Sequence, residues 1–410
     1  MTASIGLLIL GALGFLILWG EGLLKRKTSL FASAALLLAA MLLRGLCMDH
    51  ETLDYQNFLT VWVTYFRDHG GFAALKTSVG NYNLPYLYFL AFFSYLPARD
   101  LYLIKLLSVA FDLLLAWGLL RLVRLYRREV TAALAAFFAT LLLPTVILNG
   151  AYWGQCDSIY TAFAVLSVWL VLAGWSVYFA LDGKPVRSMI AIALSFAFKL
   201  QAVFIMPVFL VFLFAKKLRW YHLPIFPATY LVTALPAVIA GRPLRDAVLL
   251  YFDQAGSVGS ALNYNSSSVF AFASRNADTA LLSRLGIVFA FGFLALIFVW
   301  CFLRRRSLSR EALLIVTLLI CVAVPFFLPH MHDRYFFLAD VLSVALAVVL
   351  PRLSFVPVCV SFASLLGYHA YLRMRYLLPM RYGAAALLVV IVTLIFALSC
   401  EFSRKSKKQA

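Results

Sequence analysis

Apolar runs of about 20 residues, each long enough to cross the hydrocarbon core of a bilayer, recur along the whole of this chain. Nothing else constrains the fold as tightly. In lipid every backbone N–H and C=O needs an internal partner, so such segments must become helices or a closed barrel. A barrel would need short strands of alternating polarity, and the runs here are continuous. With 64% hydrophobic and only 13% charged residues, and a mean hydropathy of +0.94, an ordinary soluble domain is excluded. The expectation is an all-α polytopic membrane protein, one membrane-embedded domain over residues 1–410.

The formal charge of +18 invites a nucleic-acid reading, which the distribution opposes. The basic residues form small clusters between apolar runs: Lys25-Arg26-Lys27, Arg121 to Arg128, Lys216-Lys217 with Arg219, Arg304-Arg305-Arg306, and Arg404 to Lys408. Clusters of that kind mark cytoplasmic loops, whereas a nucleic-acid surface needs one contiguous basic face. The six cysteines form no CxxC pair and lie mostly within apolar runs, as small buried hydrophobes do. Cys47 and Cys156 could share the outer face, so a disulfide between them stays open.

Applying the charge rule span by span gives a path of about thirteen crossings in the cell membrane, with the N-terminus outside and the C-terminus cytoplasmic. Residues 4–24 form a retained first span rather than a cleaved signal, and residues 29–47 a second. A long external loop, 48–99, follows. Within it Phe58, Val61, Trp62, Tyr65 and Phe66 recur at helical spacing, and 84–96 is too short for a full crossing, hence re-entrant or interfacial. Spans at 100–122, 130–149 and 158–181 come next. Residues 188–215 form two short helices with Lys199 between them. A span at 222–240 opens into a second external loop, 241–283. Three arginines dissent from the rule, because Arg373, Arg375 and Arg381 fall outside.

This path brings residues 49–54, 81–85, 153–157 and 330–335 to one face, with Lys199 and Gln201 directed toward it. Random scatter would divide such features between faces, so one outward cavity is expected. Asp49, Glu51 and Asp54 cluster at its mouth. A carboxylate beside an apolar wall has a raised pKa and can take a proton from a hydroxyl nucleophile. Asp49, His50 and Glu51 could instead hold a divalent cation such as Mg or Mn. Lys199 in an apolar run reads either as a structural partner of Asp112 or Asp157, or as a cation for a phosphate. Lys105 and Asp112, two helical turns apart, read as an internal pair. His330, His332, Asp333 and Arg334 suit phosphate or metal, though no HExxH and no P-loop occurs.

Five stretches together carry a resemblance. They are Asp54-Tyr55-Gln56-Asn57-Phe58 ahead of Trp62, Asn81-Tyr82-Asn83-Leu84-Pro85, Trp153-Gly154-Gln155-Cys156-Asp157-Ser158, Phe198-Lys199-Leu200-Gln201, and His330-Met331-His332-Asp333-Arg334-Tyr335. In this order the set resembles GT-C glycosyltransferases, most of all bacterial relatives of the GPI second mannosyltransferase; dolichol-linked glucosyltransferases carry similar signatures. The resemblance covers residues 49 to 335. It implies a polyprenyl-phosphate sugar donor, a lipid, polysaccharide or protein acceptor, and inverting transfer of one hexose on the non-cytoplasmic face. It implies Asp54 as general base with Asp49 and Glu51 as auxiliary acids, and Lys199 at the donor phosphate. Asn81, Tyr82, Gln155, Asp157, Gln201, His330, His332 and Arg334 would line the donor and acceptor pockets. No WWD-type motif and no large soluble domain is present, which departs from oligosaccharyltransferases. The rival reading is a transporter or flippase of lipid-linked sugars, since polar residues inside a bundle serve translocation as readily as catalysis. No matched inverted halves are visible to favour it.

Overall fold

A computed structural model describes residues 2–174, 183–251, 259, 261–274 and 276–407. The end of the expected span 158–181, parts of the expected loop 241–283, and Lys408 lie outside the described residues. The described chain is overwhelmingly helical, as its apolar runs require. In chain order the helices are α1 (Thr2–Gly20), α2 (Lys27–Gly45), α3 (Thr60–Asp68), α4 (Leu84–Phe93), α5 (Asp100–Val123), α6 (Val130–Leu141), α7 (Pro144–Ile147), α8 (Asp157–Ala173) and α9 (Lys184–Phe198). There follow α10 (Val208–Phe214), α11 (Ile225–Ile239), α12 (Leu244–Val248), α13 (Thr279–Leu303), α14 (Arg310–Phe327), α15 (Phe337–Val349), α16 (Phe355–Leu372) and α17 (Arg381–Lys407).

Eight helical segments among the described residues are long and apolar enough to cross a membrane. A ninth forms if Val130–Leu141 and Pro144–Trp153, bent by 43° at their break, count as one. Pro144 explains that break: its ring removes a backbone donor and clashes with the preceding turn, so α6 stops and α7 starts on the proline. α7 then runs into a π-turn, Leu148–Trp153, which ends on Gly154 at φ +81. That left-handed conformation is one glycine adopts without strain.

The chain divides into two compact units. The first comprises Met1–Ser167, Met189–Leu200 and Pro224–Ser257, and the second Val168–Ser188, Gln201–Leu223 and Val258–Ala410. In the first, α1, α2, α5 and α6 pack around a core that includes Leu18, Leu37, Met41, Leu113, Leu120 and Phe137. α3 and α4 pack on one another, and α11 on α4. In the second, α14 is buried along almost its whole length between α13, α15 and α17.

Two local expectations change. The segment Tyr55–Asp68 is helical, opening as a π-turn over Tyr55–Leu59. Its buried face is Tyr55, Leu59, Trp62, Val63 and Phe66, while Phe58 and Val61 are exposed. The helix thus turns the i, i+4, i+7, i+8 and i+11 positions inward. Lys105 and Asp112 do not pair. Seven residues place them on one face of α5 but about 10 Å apart along its axis. Each finds a nearer partner: Asp112 takes Arg44 at 2.7 Å, and Lys105 Nζ donates to backbone oxygens of Cys47, Met48 and His50 at 2.7, 3.3 and 2.6 Å.

Candidate functional site

The segment that carries the acids leaves the C-terminal end of α2 and is held from two sides. Lys105, wholly buried, satisfies the three carbonyls of the 47–50 turn. Thr52 Oγ1 donates to the Trp153 carbonyl at 3.0 Å and so ties the acid segment to the Trp-Gly-Gln turn. Farther on, Asp100 at the start of α5 accepts from Tyr55 Oη and Thr60 Oγ1, both at 2.7 Å. Burial pushes the Tyr55 phenol up to about 12.

These anchors leave Asp54 half-buried against the Trp-Gly-Gln turn. Its Oδ2 accepts from Trp153 Nε1 at 2.9 Å and from Gln155 Nε2 at 2.6 Å. Gly154 lets the chain reverse between those two donors, so both side chains reach one oxygen. Gln155 is fixed in turn, since its backbone oxygen accepts from Ser108 Oγ on α5 at 2.7 Å. Its side-chain Oε1 accepts from Tyr82 Oη at 2.9 Å. The Tyr82 ring packs edge-on to Trp62, with centroids 5.5 Å apart. Gly80, at φ +65, makes room for that indole, because a Cβ there would sit 2.3 Å from it.

Lys199 Nζ lies 5.6 Å from the centre of the Tyr82 ring, a cation–π distance. It pairs with Asp157, and both side chains are almost fully buried. The other Asp157 oxygen accepts from Asn149 Nδ2 at 2.7 Å. One bonded series therefore runs Asp54–Gln155–Tyr82, passes across the Tyr82 ring to Lys199, and continues to Asp157 and Asn149. Lys199 reaches this position because α9 ends just before it. Ser195 Oγ bonds the Tyr160 carbonyl at 2.7 Å and Asn83 Nδ2 the Ala197 carbonyl at 2.9 Å, pinning the end of α9 to α8 and to the start of α4. Behind Asp157, Ser158 donates to Asp112, whose second oxygen is held by the Arg44 guanidinium.

Of the expected residues, Asp54, Tyr82, Gln155, Asp157 and Lys199 come together in the first unit. Asp49 and Glu51 turn elsewhere: Asp49 accepts from Tyr102 Oη at 2.6 Å, and Glu51 pairs with Arg99 and accepts from Gln56 Nε2 at 3.0 Å. The Gln56 bond, with Arg99 behind it, holds the Glu51 carboxyl below its ordinary pKa. His50 stacks on Tyr152, ring centres 3.9 Å apart. Among the described residues no three His, Cys, Asp or Glu side chains converge on a metal position, and none of the six cysteines is joined in a disulfide. Asn81 is exposed; its neighbour Asn83 does the work of the motif, capping α4 through the Leu84 amide at 2.9 Å. The Asn-Leu-Pro order, a helix cap followed by a proline in the first turn, was the signal for it.

Gln201, His330, His332 and Arg334 belong to the second unit. Met331-His332 pairs with Asn263-Tyr264 as a short parallel ladder. The His332 ring stacks on Tyr264 at 4.6 Å. His330 bonds Ser283 Oγ at 3.1 Å and the Ala261 carbonyl at 2.8 Å. Asn149, Ser108 and Arg44 are partners that lie outside the motifs, and Trp153 and Thr52 lie inside them without having been assigned a role.

Neither a scan against protein-family models nor a search of curated proteins gave a match to this chain. The functional reading therefore rests on its own residues.

Proposed function

We propose that this chain is a membrane glycosyltransferase of the GT-C kind, moving one hexose from a polyprenyl-phosphate donor to an acceptor hydroxyl. The observation that carries the reading is the series from Asp54 through Gln155 and Tyr82 to Lys199. A carboxylate and a cation, held at opposite ends of one polar series, are what an inverting transfer that expels a phosphate leaving group requires.

In the proposed step Asp54 takes the proton of the acceptor hydroxyl as its oxygen attacks the anomeric carbon. The bond from that carbon to the phosphate oxygen breaks on the opposite face, through an oxocarbenium-like state, and its electron pair leaves with the polyprenyl phosphate. Gln155 and Trp153 hold the carboxylate in place through its Oδ2. Lys199 offers three N–H donors; Asp157 takes one, and the others can meet the charge developing on the phosphate. An apolar cavity of about 370 Å³ is walled by Pro85, Phe89, Leu194 and Phe198, the residue before this lysine in sequence, among others. It suits the first isoprene units of a lipid-linked donor, which need apolar surface and no hydrogen bonds.

The proposed topology keeps thirteen crossings: the eight long helices, the broken pair, and the shorter segments Asp157–Ala173, Lys184–Phe198, Leu200–Phe214 and Phe337–Val349. The N-terminus is then outside and the C-terminus cytoplasmic. Purified protein in liposomes with radiolabelled polyprenyl-phosphate hexoses and a mixed lipid acceptor pool tests the function. New labelled product supports transfer. Label that crosses the bilayer still attached to its polyprenyl phosphate would replace this reading with a flippase.

A further inference from the structure

The loop between α16 and α17 reads Arg373-Met374-Arg375-Tyr376-Leu377-Leu378-Pro379-Met380-Arg381. Arginines at three of nine positions conflict with an outward-facing loop, and the glycosyltransfer reading does not use them. All three are exposed and make no ion pair among the described residues. Between them Met374, at 74%, Tyr376, Leu377, at 65%, and Leu378 are exposed too, while Met380 is buried. In water such a loop would be costly. Arginines interleaved with bare aliphatic and aromatic side chains suit the headgroup layer of a membrane, where the apolar groups enter the acyl boundary and the cations meet phosphates.

The loop also closes a pocket. Tyr376, Pro379 and Met380 line a cavity of about 280 Å³ together with Asn263 and Asn265, all in the second unit. Asn265 sits at φ +57, a left-handed conformation Asn tolerates. Tyr376 Oη donates to its Oδ1 at 2.6 Å. That bond leaves the Asn265 amide N–H pair as donors and the phenol oxygen as an acceptor, on an apolar floor of Pro379 and Met380. Amide and phenol groups of this kind bind hydroxyls, and the arginines at 373, 375 and 381 flank them with positive charge.

We infer that this pocket and loop bind the headgroup of an anionic phospholipid of the surrounding leaflet. The hydroxyls of the headgroup enter between Asn265 and Tyr376, and the phosphodiester lies against the arginines. The inference does not depend on the proposed transferase reaction.

Photoactivatable phosphatidylglycerol and phosphatidylcholine with the same acyl chains, each in nanodiscs holding the full chain, provide the test. The expected result is crosslinking of the phosphatidylglycerol to peptides 263–265 and 373–382 in preference to phosphatidylcholine. Each Arg→Gln change at 373, 375 or 381 should lower that preference about fivefold, and Asn265→Ala should lower it without altering the cation set. The arginines are exposed, so the variants should melt as wild type does. Equal crosslinking of the two lipids, or an unchanged preference in the triple variant, would overturn the inference. Displacement of the lipid by submillimolar glycerol phosphate would also overturn it, in favour of a soluble phosphate ester.

Discussion

Gln155 Nε2 donates to Asp54 Oδ2 at 2.6 Å across 101 residues of sequence. This bond joins the acid segment that follows α2 to the turn that precedes α8, and it sets the direction in which the carboxylate faces. If Asp54 is a base, Gln155 is its positioning residue. Gln155→Ala should lower the transfer rate roughly ten- to hundredfold, because a misplacement of about 1 Å costs that much. Binding of the lipid-linked donor should change little, and the two are separated by measuring single-turnover rate beside donor affinity.

Arg44 and Asp112 are both wholly buried and bonded at 2.7 Å. Removing one partner strands the other, so Arg44→Met and Asp112→Asn should each destabilise by about 3–5 kcal/mol. The double apolar variant, Arg44→Met with Asp112→Leu, should recover much of the loss. Thermal unfolding of the three proteins in one detergent measures this, and a double variant no better than the singles would refute it.

Lys105 has a different task from the charge pairing that its spacing suggested. Its ammonium satisfies three carbonyls of the 47–50 turn. Lys105→Met should leave those oxygens without donors, at about 1–3 kcal/mol for each left dry. Hydrogen exchange in the peptide covering 46–54 should then rise while α5 itself stays protected.

Glu51 gives a pH signature. Its pKa is lowered in the folded chain, first by the Gln56 bond and then by Arg99. A lowered pKa means that the folded state favours the ionised form. The stabilisation is therefore present above the ordinary value near 4.5 and is lost as pH falls through the lowered one. Wild type should unfold at a higher temperature than Glu51→Gln at pH 6, and the gap should close near pH 3. A gap that widens on acidification would contradict this.

Much of the site was legible because polar residues are scarce in so apolar a chain. Asp54, Tyr82, Gln155, Asp157 and Lys199 stood out for that reason, and they do meet. Their pairing was not legible. Lys199 had both Asp112 and Asp157 as candidates, and only the fold, by giving Asp112 to Arg44, assigns Asp157 to Lys199. Arg44 itself went unremarked because it sits near the end of an apolar run, where an arginine ordinarily snorkels to the interface. The helices were readable wherever a run exceeded the bilayer thickness. The break at Pro144 was missed because hydropathy continues across it, although the proline marks it. The acids at 49 and 51 looked like a set with Asp54 by proximity in sequence, but the chain direction after the 47–50 turn sends them to Tyr102 and Arg99.

In the proposed reaction Asp54 removes a proton from an acceptor hydroxyl. Sugar transfer from radiolabelled polyprenyl-phosphate hexose in liposomes, wild type against a folded Asp54→Asn protein, tests it most directly. Labelled product is expected with wild type, and a rate lower by about a hundredfold or more with the variant. Equal transfer by both proteins would contradict it.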